Sequence, residues 1–319
     1  KLESKILLSI NWIIDISYVI FKIMTTNYLF ISNSSNFKID NNLINQINLI
    51  LNHQNIEFSN REIKKNDFYE WILSEFNNHV KKKIENIFKN LPIDINFLNI
   101  SSPRKKKFLI CDMDSTIIEE ESLDEIAEDA GIGDEIRNIT KRAMKGDLDF
   151  KDALLQRINL LNNYPLENIF KLNHKIRIND GAKELVEKMK ANSCITILIS
   201  GGFSPSVSYI AKKIGFDYYH CNNFLYKKKD GKIILNGCVQ NPILDKNAKL
   251  DITNNYLKKL NFTLNDVISV GDGANDVNLL KQTGIGVSYK GKQILNNVAD
   301  VVFNHTNLKG ILYLQDYQI

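Results

Sequence analysis

FLICDMDSTIIEEE, residues 108–121, carries the reading of the fold. Four apolar residues run directly into Asp112 and Asp114, and these are followed by Ser115, Thr116 and the acids Glu119, Glu120 and Glu121. A short continuous apolar run bounded by turn-forming residues is the pattern of a strand covered on both faces, as in a parallel sheet packed between helices. Two carboxylates spaced i, i+2 leave an extended chain on the same side. Like charges so close drive one of them toward its protonated form unless a cation lies between them.

The same pattern recurs twice. The apolar run 194–199 leads into Ser200-Gly201-Gly202, and the run 267–270 leads into Gly271-Asp272-Gly273-Ala274-Asn275-Asp276. Helical periodicity fills the intervals, which predicts an α/β domain over 101–319 with a doubly wound parallel sheet. In such sheets ligands bind beyond the carboxyl ends of the strands. Asp112 and Asp272, delivered by different strands, are hard oxygen ligands suited to Mg2+. Ser200 and the backbone of Gly201, with a helix starting near Ser204, suit a phosphate. Lys249, at the head of another helix, adds positive charge. Together these groups describe a phosphoryl-transfer site.

Two insertions interrupt the pattern. Between the first and second strands the spacing predicts helices over 123–130, 134–144 and 150–161 and a last one from Ala182, so that 122–180 forms a helical cap. Residues 223–239 predict a small hairpin flap, with turn chemistry at Lys229-Asp230-Gly231-Lys232. Residues 1–100 read as a small α+β domain, a degenerate regulatory module. It has strands at 27–32 and 93–100, a helix at 41–51, and helical spacing from Phe68 to Phe88 that stops before Pro92. Ser101-Ser102-Pro103-Arg104 reads as a linker.

Composition narrows the class. Of 319 residues 44% are hydrophobic and 24% charged, which allows a sizeable core. The net charge of +4 is mild. Its clusters at Arg104–Lys107, Lys81–Lys83 and Lys227–Lys229 lack interleaved aromatics, so they read as solvated charge and not as a nucleic-acid surface. The four cysteines form no Cys-x-x-Cys pair, and the five histidines have no ligand spacing. This is the usage of a reducing compartment, the cytoplasm. The apolar stretch 6–24 is interrupted by Asn11, Asp15 and Lys22, and reads as a buried strand or helix and not a membrane anchor.

The segments DMDSTIIEEESLDEIAEDAG, ITKRAMKGDLDF, LISGGF and VGDGANDVNLL, with Lys249, are similar to the motifs of the haloacid dehalogenase superfamily. Within it the chain resembles the branch that hydrolyses phosphoserine, over 106–319. The resemblance implies that Asp112 is the nucleophile and Asp114 the general acid and base. It implies Mg2+ held by Asp112, the backbone carbonyl of Asp114 and Asp272, with Asp276 acting through a metal-bound water. It also implies a phosphate held by Ser200, Gly201, Lys249 and Asn275. For the rest of the substrate it implies Glu121 on the ammonium, Arg157 on the carboxylate, and Met144 and Phe150 closing over it. From the residues alone Arg157 is not distinguished from Arg137 or Arg142, nor Glu121 from Glu119 or Glu120. Where the family often has Pro-Gly, this chain has Asn179-Asp180-Gly181, with Asp180 expected to cap the following helix.

The expected partner is therefore a small molecule, O-phospho-L-serine, hydrolysed in the last step of serine biosynthesis, with no nucleic acid and no membrane. A homodimer through the first domain is left open. Phosphothreonine or phosphohomoserine as substrate, or transfer to a second alcohol, are alternatives. A non-catalytic amino-acid sensor is disfavoured by the complete acid, serine and lysine set.

Overall fold

The computed structural model describes residues 25–34, 37–144, 147–245 and 247–318. The apolar stretch 6–24 lies outside them, as do the side chains of Met144 and Phe150. Among the described residues no helix is long and apolar enough to cross a membrane.

The first unit runs β1 (Thr26–Ser32), a helix Asn41–His53, β2 (Phe58–Lys64), β3 (Phe68–Leu73), a helix Asn78–Phe88 and β4 (Asp94–Ile100). Its antiparallel sheet has the order β2-β3-β1-β4, a βαββαβ arrangement of ferredoxin type. The helical spacing read across 68–88 is corrected here. FYEWIL, at 68–73, is a strand lying between β1 and β2 with five of its six residues buried. Aromatic and β-branched side chains favour that environment. The helix begins only after Asn77, whose side chain accepts from the N–H groups of His79 and Val80. β2 is a largely exposed edge strand whose polar sequence gave no apolar signal.

The second unit contributes β5 (Phe108–Cys111), β6 (Ile195–Phe203), β7 (Tyr218–Asn222), the hairpin β8 (Phe224–Lys229) and β9 (Lys232–Val239), then β10 (Val267–Gly271), β11 (Ile285–Tyr289) and β12 (Val301–Phe303). The central sheet is parallel, in the order β12-β11-β10-β5-β6-β7. Its first strand, β5, thus lies between the strands wound to the left and those wound to the right. The mouth between β5 and β10 is the topological switch point, where α/β sheets bind their ligands. Alternation along β5 divides the core. Leu109 and Cys111 face one helical layer, while Phe108 and Ile110 face the layer that includes Leu257 of helix Ala248–Leu260.

Between β5 and β6 stand helices Ser122–Asp129, Gly133–Met144, Phe150–Leu160 and Leu166–Asn173, followed by Ala182–Ala191. Leu166–Asn173 follows Pro165 and was not foreseen. The insertion and the hairpin share one core, in which Ile126, Leu154 and Ile158 pack with Phe224, Leu235 and Val239. Phe203 stacks on Phe224 at 3.9 Å between ring centroids. The hairpin turns at Asp230 and Gly231, both with positive φ, as its turn chemistry requires.

The segment 101–104 is more than a tether. Arg104 pairs with the fully buried Glu70 of β3, donates to the carbonyls of Leu314 and Tyr313, and lies 4.8 Å from the Tyr28 ring and 5.1 Å from that of Phe30. Lys106 is buried and donates to Ser102 Oγ and to the Asn265 carbonyl. These two charges, read as solvated, are structural, because each meets acceptors that are distant in the chain. Phe30, Phe68, Leu98 and Ile100 on the other face of the first sheet join the core of the second unit. Arg104→Ala should destabilise the chain by about 3 kcal/mol, since it leaves Glu70 buried beside Arg61 alone. Arg104→Lys should recover only part of this, because an ammonium lacks the planar fork. Urea denaturation of both, with the exposed Lys107→Ala as a control near zero, checks this.

Candidate active site

The carboxyl end of β5 carries Asp112, whose N–H continues the ladder to the Val270 carbonyl of β10 at 2.9 Å. Its Oδ1 accepts from the Met113 N–H at 2.7 Å. Its Oδ2 accepts from Asn275 Nδ2 at 3.0 Å and from Lys249 Nζ at 2.7 Å. Lys249 is 1% exposed, and its ammonium also reaches Asp276 Oδ1 at 2.6 Å. The other oxygen of Asp276 accepts from the Gly273 N–H at 3.2 Å. Burial opposes the Lys249 charge, but Asp112 and Asp276 outweigh it and raise its pKa.

Asp112, Asp272 and Asp276 are all buried and bring carboxylate oxygens within 4.8 Å of one another. Burial, followed by the charge of Asp112, pushes Asp272 up to about 6 and Asp276 up to about 7. One buried ammonium does not balance three carboxylates, and among the described residues the cation within ion-pair distance of Asp272 is the half-exposed Lys292, its Nζ 4.0 Å from Oδ2. A compact all-oxygen donor set with excess negative charge fits a hard divalent cation.

On the same loop Ser115 takes φ 54°, a left-handed turn directly after Asp114. The turn lets Asp114 Oδ1 accept from the Ser122 N–H at 2.9 Å, at the head of the insertion. Burial pushes the Asp114 carboxyl up to about 8, and the charges of Glu121 and Asp112 reinforce this against the Ser122 N–H. Ser200-Gly201-Gly202 forms the last part of β6 itself, not a loop after it, and here the register to β7 becomes irregular. Ser200 is fully buried and its Oγ accepts from the Gly202 N–H at 2.9 Å. A Cβ on Gly202 would stand 3.1 Å from Ser200 Oγ and 3.2 Å from Asp114 Oδ2, so glycine allows the β5 and β6 ends to close on each other. Gly201 is fixed through its carbonyl, which accepts from Asn222 at 2.8 Å. Helix Ser204–Ile214 starts immediately beyond.

At the rim Glu121 accepts from Ser115 Oγ at 2.7 Å, and partial desolvation raises its pKa. The three arginines now differ. Arg137 is spent on surface pairs with Glu128 and Asp134, and Arg142 is exposed. Arg157 is half-buried, and burial lowers its pKa against the opposing charges of Asp124 and Glu121. Among the described residues it has no carboxylate within ion-pair distance. Likewise Glu119 and Glu120 are engaged by Arg177. Met144 ends one insertion helix and Phe150 begins the next. Ser122, Asp124 and Lys292 carried no local signal, because each acquires its neighbours only through the fold. Asp180 does not cap its helix, which starts from Gly181 at φ 85°.

Comparison with known proteins agrees with this arrangement. Residues 106–284 match the model of the haloacid dehalogenase-like hydrolases. The chain belongs to that family. It is 37% identical over 209 residues to a phosphoserine phosphatase of Methanocaldococcus jannaschii, covering 66% of this chain and 97% of the relative. It also resembles a solved phospho-aspartyl intermediate analogue of phosphoserine phosphatase, with a TM-score of 0.59, 37% identity, and coverage of 66% of this chain and 98% of that one. A haloacid dehalogenase family hydrolase from Salmonella enterica shares the fold over 92% of this chain and all of its own, with a TM-score of 0.77 at 22% identity. The chain is a phosphatase of the haloacid dehalogenase-like family, with an α/β fold built on a parallel sheet.

The raised carboxyls make a prediction for the metal-free protein. A carboxyl whose pKa is higher folded than unfolded binds more protons in the native state. Its stabilisation is full below about 4 and is lost as pH rises through the folded value. With Asp272 at about 6 and Asp276 at about 7, thermal unfolding in chelator should give a higher Tm at pH 5.5 than at pH 8. Asp276→Asn should flatten that slope.

Proposed function

We propose that the chain hydrolyses O-phospho-L-serine to L-serine and phosphate in a Mg2+-dependent reaction, as the last step of serine biosynthesis in the cytoplasm. The observation that carries this reading is the contrast between two carboxyls on one short loop. Asp112 is held ready by Lys249 and Asn275, while Asp114 is pushed up to about 8 and so keeps its proton near neutrality. One is suited to attack and the other to donate.

In the first step an Asp112 oxygen bonds to phosphorus and the bond from phosphorus to the serine oxygen breaks. The departing oxygen takes the Asp114 proton, which leaves an aspartyl-phosphate. In the second step Asp114, now ionised, takes a proton from water as the water oxygen bonds to phosphorus. Asp112 is released and Asp114 regains its proton. Lys249, Asn275, Ser200 and the Gly201 backbone hold the phosphoryl oxygens, and the start of helix Ser204–Ile214 adds its dipole. Mg2+ would be held by Asp112, the backbone carbonyl of Asp114 and Asp272, and would neutralise charge on both the acids and the phosphate. Asp276, whose two oxygens already accept from Lys249 and Gly273, fits a role through a water better than direct ligation. Glu121 receives the substrate ammonium and Arg157, whose Nε donates to the Ala153 carbonyl at 3.3 Å and which has no carboxylate within ion-pair distance among the described residues, its carboxylate. Met144 and Phe150 close over the substrate.

A phosphate-release assay with Mg2+ should rank phosphoserine above phosphothreonine, phosphohomoserine and a sugar phosphate. A sugar phosphate turned over as fast as phosphoserine would refute the amino-acid reading. Asp112→Asn should lose about 10³-fold or more of the rate, and chelator should abolish turnover until Mg2+ is restored. Arg157→Ala should narrow the preference for phosphoserine over phosphoethanolamine by about tenfold. An unchanged ratio would remove Arg157 from carboxylate recognition.

A further inference from the structure

The two units meet along β4 and β12, and their hydrogen bonds there do two different things. Asn96 of β4 imitates a strand: its Nδ2 donates to the Val302 carbonyl at 3.0 Å and its Oδ1 accepts from the Val302 N–H at 2.7 Å. Asp94, two residues earlier and 4% exposed, grips the loop that follows β12. Its carboxylate accepts from the N–H groups of Asn304, His305 and Thr306 at 2.9, 3.0 and 2.8 Å, and from Thr306 Oγ1 at 2.7 Å. The end of β1 adds to the grip. Ser32 Oγ meets Thr306 Oγ1 at 2.8 Å, the Ser34 N–H donates to the His305 carbonyl at 2.9 Å, and Ser34 Oγ accepts from the Asn307 N–H at 2.9 Å.

The far end of that loop rests on the stem of the helical insertion. The Leu308 N–H donates to the Asp180 carbonyl at 3.1 Å. Gly181 is approached so closely that a Cβ there would stand 2.6 Å from the Lys309 nitrogen, and Lys309 Nζ pairs with Glu184 at 2.9 Å. The stem itself is a two-stranded stitch. Ile118 bridges Ile178, and Asn179 Nδ2 donates to the carbonyls of Thr116 and Ile118 at 2.9 and 3.0 Å. Thr116 lies two residues beyond Asp114 and Ile118 three before Glu121. Hydrogen bonds alternating with short pieces of backbone therefore link the first unit to the base from which Glu121 and Arg157 are presented.

We propose that Asp94 is a positioning residue for substrate recognition: by clamping 304–306 it fixes loop 308–309 against Asp180 and Gly181, and so sets the attitude of the helical insertion over the active site. This rests on the reading that the insertion recognises the amino-acid end of the substrate. A carboxylate suits the clamp because all its partners are donors. An amide of the same shape turns an NH2 group toward some of them. The insertion is long relative to its stem, so a small tilt at the base displaces Arg157 more than it displaces Asp112, at the end of β5, or Lys249, at the head of helix Ala248–Leu260. The first unit thereby acts on specificity without touching the substrate.

The test compares kcat and KM of the full chain with Mg2+ on phosphoserine and on p-nitrophenyl phosphate, which has neither ammonium nor carboxylate. Asp94→Asn should lower the ratio of the two kcat/KM values by about fivefold. The loss should fall on KM for phosphoserine, with kcat on the aryl ester within about twofold of wild type. Asn96→Ala, which cuts the two bonds to Val302 in the same interface upstream of the clamp, should leave the ratio unchanged. A wild-type ratio in Asp94→Asn, or equal losses on both substrates, overturns the proposal. Should Asp94→Asn not fold, Ser34→Ala takes its place, with a shift of about twofold in the same direction expected and an unchanged ratio again decisive against it. A wild-type enzyme with no preference for phosphoserine would instead overturn the substrate reading, and that is measured before any variant.

Discussion

Three carboxylates crowd the mouth between β5 and β10, and one buried ammonium, that of Lys249, joins two of them. Much of the site follows from this electrostatic constraint. Acids this close and this dry are costly to ionise, so Asp272 and Asp276 are driven toward protonation in the bare protein. A divalent cation would resolve the conflict, and an incoming phosphate would then meet positive charge and not a wall of carboxylates. The charge needed to stabilise a phosphoryl-transfer transition state is in place before the substrate arrives, which is how preorganised sites avoid reorganisation during the reaction.

The sheet order makes the crowding possible. β5 sits next to β10 although more than a hundred and fifty residues of chain separate them, and parallel pairing in register aligns Cys111 with Val270. Asp112 and Asp272 follow as the next residues out of the sheet. Glycine at 202 lets the end of β6 close in from the other side. The phosphate end of the site thus rests on rigid strands. The insertion packs on the hairpin through its own core, and its two ends are bridged at Ile118 and Ile178.

The first unit is bound to the second more intimately than its sequence suggests. One face of its sheet covers its own helices and the other enters the main core. Arg104 ties the junction to Glu70 and to the last helix. Two buried or half-buried charges at this junction read as solvent-facing in the sequence, because the Glu70, Leu314 and Asn265 groups that they meet are distant in the chain.

The parallel sheet, the strand ends that bear the acids, the hairpin turn and the insertion were legible in the sequence because each is written in local terms. An apolar run, a period of 3.6 or an Asp-Gly turn acts over a few residues. The strand at 68–73 was misread for the same reason: Phe68, Tyr69, Trp71, Ile72 and Leu73 suit either periodicity, and only pairing with β1 and β2 selects the extended form. The difference among Arg137, Arg142 and Arg157 lay beyond the sequence, since it depends on which guanidinium is paired at the surface and which is half-buried with no carboxylate within ion-pair distance among the described residues. The same holds for the burial that raises the Asp114 carboxyl. By itself the sequence determined which groups could do phosphoryl chemistry and on which strands they would ride. Only the tertiary structure decided which of them meet, how dry they are and what charges face them, because desolvation and Coulomb interactions depend on distances in space that the order of residues does not contain.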